Sequence, residues 1–197
     1  CVRRLRGMFA FAIWDEREAR LFLARDPFGI KPLYYADDGS LFRFASQVKA
    51  LRCGRVSDEP DPAGHVGFLV MGSVPEPFTM FRAISALPAG STLTLARGGA
   101  ARVARYFDVA REFASAGADA ASVPATARHE ILAQALRDSV AHHMVADVPV
   151  GAQLSGGMDS GTVTALAARS LPYLNTFTVG FDMTSRRPPV CASRRTT

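Results

Sequence analysis

Between residues 148 and 180 a short apolar run, a glycine-bearing bend, a helical stretch and a second apolar run follow one another. Val148 to Leu154 has the length and composition of a buried strand, although Pro149 sits inside it. Thr162 to Ala168 reads as the first turns of a helix, and Thr176 to Gly180 as a second buried strand. Two strands joined by a helix over so few residues can pair only in parallel, because a tight turn cannot reverse the chain and return it to the same direction. The sequence therefore predicts a βαβ unit near the C-terminal end.

The bend itself, Leu154-Ser155-Gly156-Gly157-Met158-Asp159-Ser160, carries the chemistry. A strand-to-helix turn gathers several backbone N–H groups and the positive end of a helix dipole at one point, which suits an anion. Gly156 and Gly157 have no Cβ, so a ligand can approach the backbone and positive φ is allowed. Ser155 and Ser160 add hydroxyls. Asp159 would repel a bare phosphate, so it points to a magnesium-chelated one or to a role in orienting the loop amides. No lysine follows the glycines, which separates this bend from the common phosphate-binding loop. Two adjacent glycines alone make only a tight turn; the whole string between a strand and a helix is far more specific.

Upstream, residues 1–108 read mostly as β-structure. Met8 to Trp14 is an apolar run expected to be a strand buried on both faces, followed by Leu21 to Ala24. Asp37-Asp38-Gly39-Ser40 between Pro32–Tyr35 and Leu41–Ala45 predicts a hairpin, and Arg97-Gly98-Gly99 predicts another between 91–95 and 102–107. Gln47 to Leu51 reads as one helical turn. Asp61 to Met71 reads as a helix capped by Asp61 with Pro62 in its first position. Residues 109–126, rich in Ala, Ser and Gly, read as a linker between two domains. Ile131, Leu132, Ala135, Leu136, Val140 and Met144 recur at helical spacing, which predicts an amphipathic helix over 127–146.

Composition excludes several classes of function. The net charge is +5, but residues 183–197 hold four arginines and no acid, leaving +1 for all the rest. A nucleic-acid interface places its basic residues along one folded face with aromatics between them. That pattern is missing, and no nucleic-acid partner is expected. No apolar run is long enough for a membrane span, and none resembles a secretory signal. Cys1, Cys53 and Cys191 are three and widely spaced, which fits neither a disulfide framework nor a zinc site, so the expectation is a reducing cytoplasm. His142 and His143 point about 100° apart on a helix and are read as surface residues rather than ligands of one ion. Arg25 and Lys31 are read as organising the hairpin around them.

The stretch from Val148 to Ser160 resembles the pyrophosphate loop of the glutamine-hydrolysing asparagine synthetase family. Gly7-Met8-Phe9-Ala10-Phe11-Ala12-Ile13-Trp14-Asp15, Arg25-Asp26-Pro27-Phe28-Gly29-Ile30-Lys31-Pro32-Leu33-Tyr34-Tyr35, Phe44 to Leu51 and Leu87-Pro88-Ala89-Gly90 resemble later parts of its glutaminase domain, in the same order. The likeness covers residues 7–182. It implies an α+β region followed by α/β. Residues 1–108 would be the C-terminal part of an N-terminal-nucleophile glutaminase sandwich. Residues 127–182 would be the first βαβ of a doubly wound ATP-pyrophosphatase domain. It also implies two coupled activities: release of ammonia from glutamine, and adenylation of aspartate by ATP to a β-aspartyl-AMP that ammonia converts to asparagine. By position Ser155, Gly156, Gly157, Asp159 and Ser160 would hold pyrophosphate and its Mg2+, Asp159 standing nearest the metal's needs, while Leu154 and Val179 match strand ends that meet adenosine. Glutamine, aspartate and ATP are the implied small-molecule partners, and the likeness leaves room for a homodimer.

The departures are specific. The family's glutaminase nucleophile is a Cys followed by Gly and an aliphatic residue. Cys1 is followed by Val2-Arg3-Arg4 only six residues before Gly7, so it is not assigned that role. Gln47 stands where the family commonly has Glu, and Gly161 where a second Ser or Thr is usual. Residues 183–197 lose apolar periodicity and are read as an aberrant, disordered tail left by truncation or a slip of reading frame. The chain is therefore expected to lack activity by itself. The rival readings are a related amide-forming cyclase, such as a β-lactam or lasso-peptide synthetase, and a non-catalytic nucleotide-binding remnant.

Overall fold

The computed structural model describes residues 1–120, 123–180 and 190–196, which fall into two compact units, Cys1–Ala120 and Ala121–Thr197. In the first unit a short 3₁₀ turn, Val2–Arg4, leads into β1 (Ala10–Asp15), β2 (Arg20–Arg25), β3 (Tyr34–Asp37) and β4 (Phe42–Ala45). Two helices follow, α1 (Val48–Cys53) and α2 (Pro62–Met71), then β5 (Ser85–Ala86), β6 (Ser91–Ala96), β7 (Arg102–Arg105) and α3 (Val109–Ala120). All pairings here are antiparallel, in the orders β1-β2-β6-β7 and β4-β3-β5. Leu23 of β2 and Leu93 of β6 form one buried cluster with Leu33 and Leu87, against which Tyr35 of β3 and Phe42 of β4 also pack. The two sheets thus share a core.

Both hairpins form where turn chemistry predicts them. Gly39 has φ +82° and Gly98 φ +71°, conformations that a side chain would strain. Asp38 anchors the first turn, accepting from the amides of Ser40 and Leu41 and pairing with Arg43. Helix α2 also starts as expected, with the Asp61 carboxylate accepting from the Ala63 amide at 2.9 Å.

Two expectations need correction in this unit, and a third stretch holds structure that its reading did not name. β1 is not buried on both faces: Ile13 is 52% and Trp14 55% exposed. It is the outer strand of its sheet, and an apolar run looks the same whether one face or two is covered. The stretch 109–126, read as a linker, holds the twelve-residue helix α3. Its alanines favour helix, and Asp108 caps it by accepting from the Arg111 amide at 3.1 Å. The helical turn at Gln47 extends further, through Cys53.

The second unit contains α4 (Ala125–His143), β8 (Gly151–Gln153), α5 (Met158–Ala168), β9 (Leu174–Gly180) and β10 (Val190–Thr196). β8 and β9 are parallel, Gly151 facing Asn175 and Gln153 facing Phe177, with α5 as the crossover. Val140 of α4, Ala167 of α5 and Leu174 of β9 make its core, with Met144, Ala152 and Leu166 packed around them. β8 is shorter than the 148–154 expected, as Pro149 cannot donate to a ladder. α5 begins at Met158, four residues before the predicted start.

Of the stretch 183–197, expected to be a disordered tail, the described residues are 190–196. Val190–Thr196 pairs antiparallel along the whole of β9, Val190 facing Gly180 and Thr196 facing Leu174. An open strand edge accepts any extended segment through the backbone alone, without a hydrophobic pattern. Residues 181–189 lie outside the described residues. No helix among the described residues is long and apolar enough to cross a membrane.

Candidate functional site

At the end of β8, strand β9 holds Leu154 through both of its backbone groups. Its amide donates to the Phe177 carbonyl at 2.8 Å, and its carbonyl accepts the Thr178 hydroxyl at 2.7 Å. Beyond it the backbone leaves the sheet through Gly156, at φ +81°. Gly157, at φ −79°, is the residue preceding the first turn of α5.

The bend is closed by its two serines. Ser160 Oγ donates to the Gly157 carbonyl at 3.1 Å, lies 3.0 Å from Ser155 Oγ, and accepts from the Ser155 amide at 3.3 Å. These hydroxyls satisfy the two ends and leave the middle alone. Among the described residues, no acceptor meets the amides of Gly156, Gly157, Met158, Asp159 and Ser160; the next amide, of Gly161, begins the helical ladder by donating to Gly157 at 3.0 Å. The first amides of a helix have no partner inside it and point out of its end. Gly156, Gly157, Met158 and Asp159 are all exposed, Met158 at 85%.

The two glycines are there for different reasons. Gly156 is required by the backbone, as its φ disfavours any side chain. At Gly157 φ is ordinary, and an added Cβ would meet only Ser155 Oγ at 3.6 Å and Ser160 Oγ at 3.9 Å, which is normal contact. Nothing in the protein demands glycine at 157. The position a Cβ would take there is open, and the residue is exposed.

Asp159 lies in the first turn of α5, where the helix dipole favours a negative charge. Val179, 54% exposed, is in the last part of β9, so it and Leu154 stand at the same end of two neighbouring parallel strands. In open parallel sheets that end is where ligands bind. The structure thus brings all seven residues singled out from sequence to one end of this sheet. Thr178, whose hydroxyl fixes Leu154, was not among them; a threonine within a strand carries no signal of such a bond.

The remaining candidates stay apart from the bend in chemistry. His142 and His143 each hold their Nδ1 against a carbonyl one turn back, of Asp138 and Ser139, and no cluster of three metal-ligating side chains occurs among the described residues. Arg25 is buried and donates to the carbonyls of Gly29, Lys31 and Leu87 and to the Glu76 carboxylate. Buried Asp26 accepts from the amides of Phe28, Ile30 and Lys31. These two residues build the 26–31 loop, and Lys31 contributes its backbone to it. Cys1 and Cys53 are exposed free thiols.

Comparison with known proteins agrees with this division of the chain. A family model described as a glutamine amidotransferase domain matches residues 1–107, and one described as asparagine synthase matches residues 131–195. A putative asparagine synthetase [glutamine-hydrolyzing] of Mycobacterium tuberculosis (strain ATCC 25618 / H37Rv) is 42% identical over 190 residues, covering 92% of this chain and 28% of the relative. Asparagine synthetase [glutamine-hydrolyzing] 1 of Bacillus subtilis (strain 168) is 37% identical over 91% of the chain and 27% of its own length. Asparagine synthetase B [glutamine-hydrolyzing] of Escherichia coli (strain K12) is 34% identical, with 89% and 28% covered. The chain spans little more than a quarter of these relatives. With both family models met in order along one chain, it belongs to the glutamine-hydrolysing asparagine synthetase family.

Proposed function

We propose that the bend from Leu154 to Ser160 holds the pyrophosphate end of ATP in an ATP-dependent ligase that makes asparagine from aspartate and glutamine. The run of five amides from Gly156 to Ser160 without an acceptor among the described residues carries this reading. In the reaction the aspartate carboxylate attacks the α-phosphorus of ATP, and the bond to pyrophosphate breaks as β-aspartyl-AMP forms. Ammonia released from glutamine then displaces AMP. Charge gathers on the departing pyrophosphate, and fixed N–H donors aimed at that charge stabilise the transition state without reorganising.

The residues fit a magnesium-chelated phosphate. Asp159 offers a single carboxylate in the first turn of α5. Mg2+ is commonly held by one or two carboxylates together with substrate phosphates, and it would supply neutralisation of the phosphate oxygens. Leu154 and Val179 would then flank adenosine. On this reading the first unit is the later part of an N-terminal-nucleophile sandwich and the second opens an ATP-pyrophosphatase domain. The use of ATP and free thiols fits the cytoplasm. Because Cys1 has the wrong neighbours for the nucleophile, the chain is expected to bind nucleotide without releasing ammonia from glutamine. Asparagine formed by this chain from aspartate, ATP and glutamine would contradict that.

The test is calorimetric titration of Mg-ATP into the chain and two variants. Gly157→Ala is expected to keep the melting temperature and lose about tenfold or more in affinity, roughly 1.4 kcal/mol, because the methyl group occupies the ligand's approach. Gly156→Ala is expected to lose affinity together with about 1–2 kcal/mol of stability, because its φ is left-handed. Unchanged binding in Gly157→Ala would overturn the assignment. Absence of heat with the unmodified chain would favour a non-catalytic remnant.

A further inference from the structure

A second concave site lies in the first unit, at the base of α3. It encloses about 520 Å³ and is lined by Arg3, Tyr106, Phe107, Arg111 and Glu112, together with the Arg105–Asp108 ion pair. That volume falls in the range of small-molecule sites, roughly 300–1,000 Å³.

Its floor is held rigidly. The amides of Tyr106 and Phe107 both donate to the Gly90 carbonyl, at 2.8 and 3.1 Å. Gly90 is at φ +62°, and a Cβ there would lie 2.5 Å from the Phe107 carbonyl oxygen, so only glycine permits the approach. The Tyr106 hydroxyl donates to the Arg25 carbonyl at 2.8 Å, and Phe107 meets Phe28 edge-on at 5.6 Å. Two aromatic side chains are thereby fixed on the β-core before any ligand arrives, and pre-organisation of this kind lowers the cost of binding.

The charged walls divide into committed and uncommitted groups. Asp108 is spent on Arg105, at 2.7 Å, and on capping α3 through the Arg111 amide. Arg105 lowers the Asp108 carboxyl below its ordinary range. By contrast, the guanidiniums of Arg3 and Arg111 and the carboxylate of Glu112 have no ionic partner among the described residues. Two cations and one anion without an ionic partner among the described residues thus line one cavity together with two aromatic residues. A carboxylate takes bidentate hydrogen bonds from guanidinium, an ammonium pairs with a carboxylate, and an apolar group covers the aromatic rings. A phosphate dianion would suit the arginines but would be opposed by Glu112.

We propose that this cleft binds a small zwitterion of the α-amino-acid class with an apolar or aromatic side chain. Its carboxylate meets Arg3 and Arg111, its ammonium meets Glu112, and its side chain lies on Tyr106 and Phe107. The site is separate from the nucleotide bend and does not depend on the assignment of that bend.

The test titrates the 197-residue chain with L-phenylalanine, 3-phenylpropionate, phenethylamine and inorganic phosphate. Saturable binding of phenylalanine is expected, with 3-phenylpropionate and phenethylamine each about tenfold weaker, since each lacks one charged group. Arg111→Gln is expected to weaken phenylalanine and 3-phenylpropionate alike by about tenfold, with Arg111→Lys retaining part of the affinity. Glu112→Gln is expected to weaken phenylalanine about tenfold and leave 3-phenylpropionate unchanged. These side chains are exposed, so circular dichroism of the variants should match the unmodified chain. The proposal is overturned if phenylalanine does not saturate, if phosphate binds more tightly than phenylalanine, or if Glu112→Gln affects both carboxylates equally.

Discussion

Thr164 sits on the buried side of α5 with 9% of its surface exposed, and its hydroxyl has no hydrogen-bond partner among the described residues. A buried hydroxyl left unmade is costly, whereas an apolar group of the same shape has nothing to satisfy. Thr164→Val should therefore raise stability, by about 1 kcal/mol, in urea denaturation. A loss of that size instead would show that the hydroxyl is satisfied. One turn earlier, Gly161 is in the helix with nothing within 4 Å of an added Cβ. Gly161→Ala should stabilise by roughly 0.5–1 kcal/mol, since glycine loses more backbone freedom on folding than alanine does. The same melts measure it, and a destabilised variant would contradict the geometry. At this scale the glycines of the bend could be recognised in sequence because their lack of a Cβ has one clear use. The closure by Ser155 and Ser160 and the Thr178–Leu154 bond could not, since hydroxyl pairing depends on how the strand and helix end up placed.

Among elements, α2 shows what local chemistry dictates. Asp61, Pro62 and Gly72 mark its two ends, with the Asp61 cap bond at 2.9 Å and Gly72 at φ +74°. Asp61→Ala should lower stability by about 1 kcal/mol, and no change in the melting temperature would show that the cap contributes nothing. The hairpins and the parallel βαβ were legible for similar reasons: turn residues, strand lengths and the short crossover each allow few alternatives. Helix α3 was not. An Ala-, Ser- and Gly-rich stretch reads equally as linker or helix, and the Asp108 cap settles the matter only once Arg111 is placed. The strand Val190–Thr196 was hidden for another reason, because it pairs through backbone groups that every residue carries.

For the molecule as a whole, the titrating groups set the range over which the fold is stable. Arg43, Arg52 and Arg105 hold the carboxyls of Asp38, Asp58 and Asp108 below their ordinary 3.8 through side-chain hydrogen bonds. A depressed folded-state pKa contributes stability above the unfolded value, lost as pH falls through the folded one. Tyr106 is the opposite case: burial, helped by the charge of Asp26, pushes its phenol from 10.0 to about 12. Its contribution is complete below pH 10.0 and is lost as pH rises toward about 12. Urea midpoints should accordingly be flat near neutrality and fall below about pH 4 and above about pH 10. Tyr106→Phe should flatten the alkaline limb, and a limb that persists unchanged would assign it to other groups. The central claim, that the bend at 154–160 receives pyrophosphate, is tested most directly by following backbone amide resonances while magnesium pyrophosphate is added. Saturable shifts centred on Gly156, Gly157, Met158, Asp159 and Ser160, and lost in Gly157→Ala, are predicted. Shifts absent from those five amides while pyrophosphate binds elsewhere, or not at all, would contradict it.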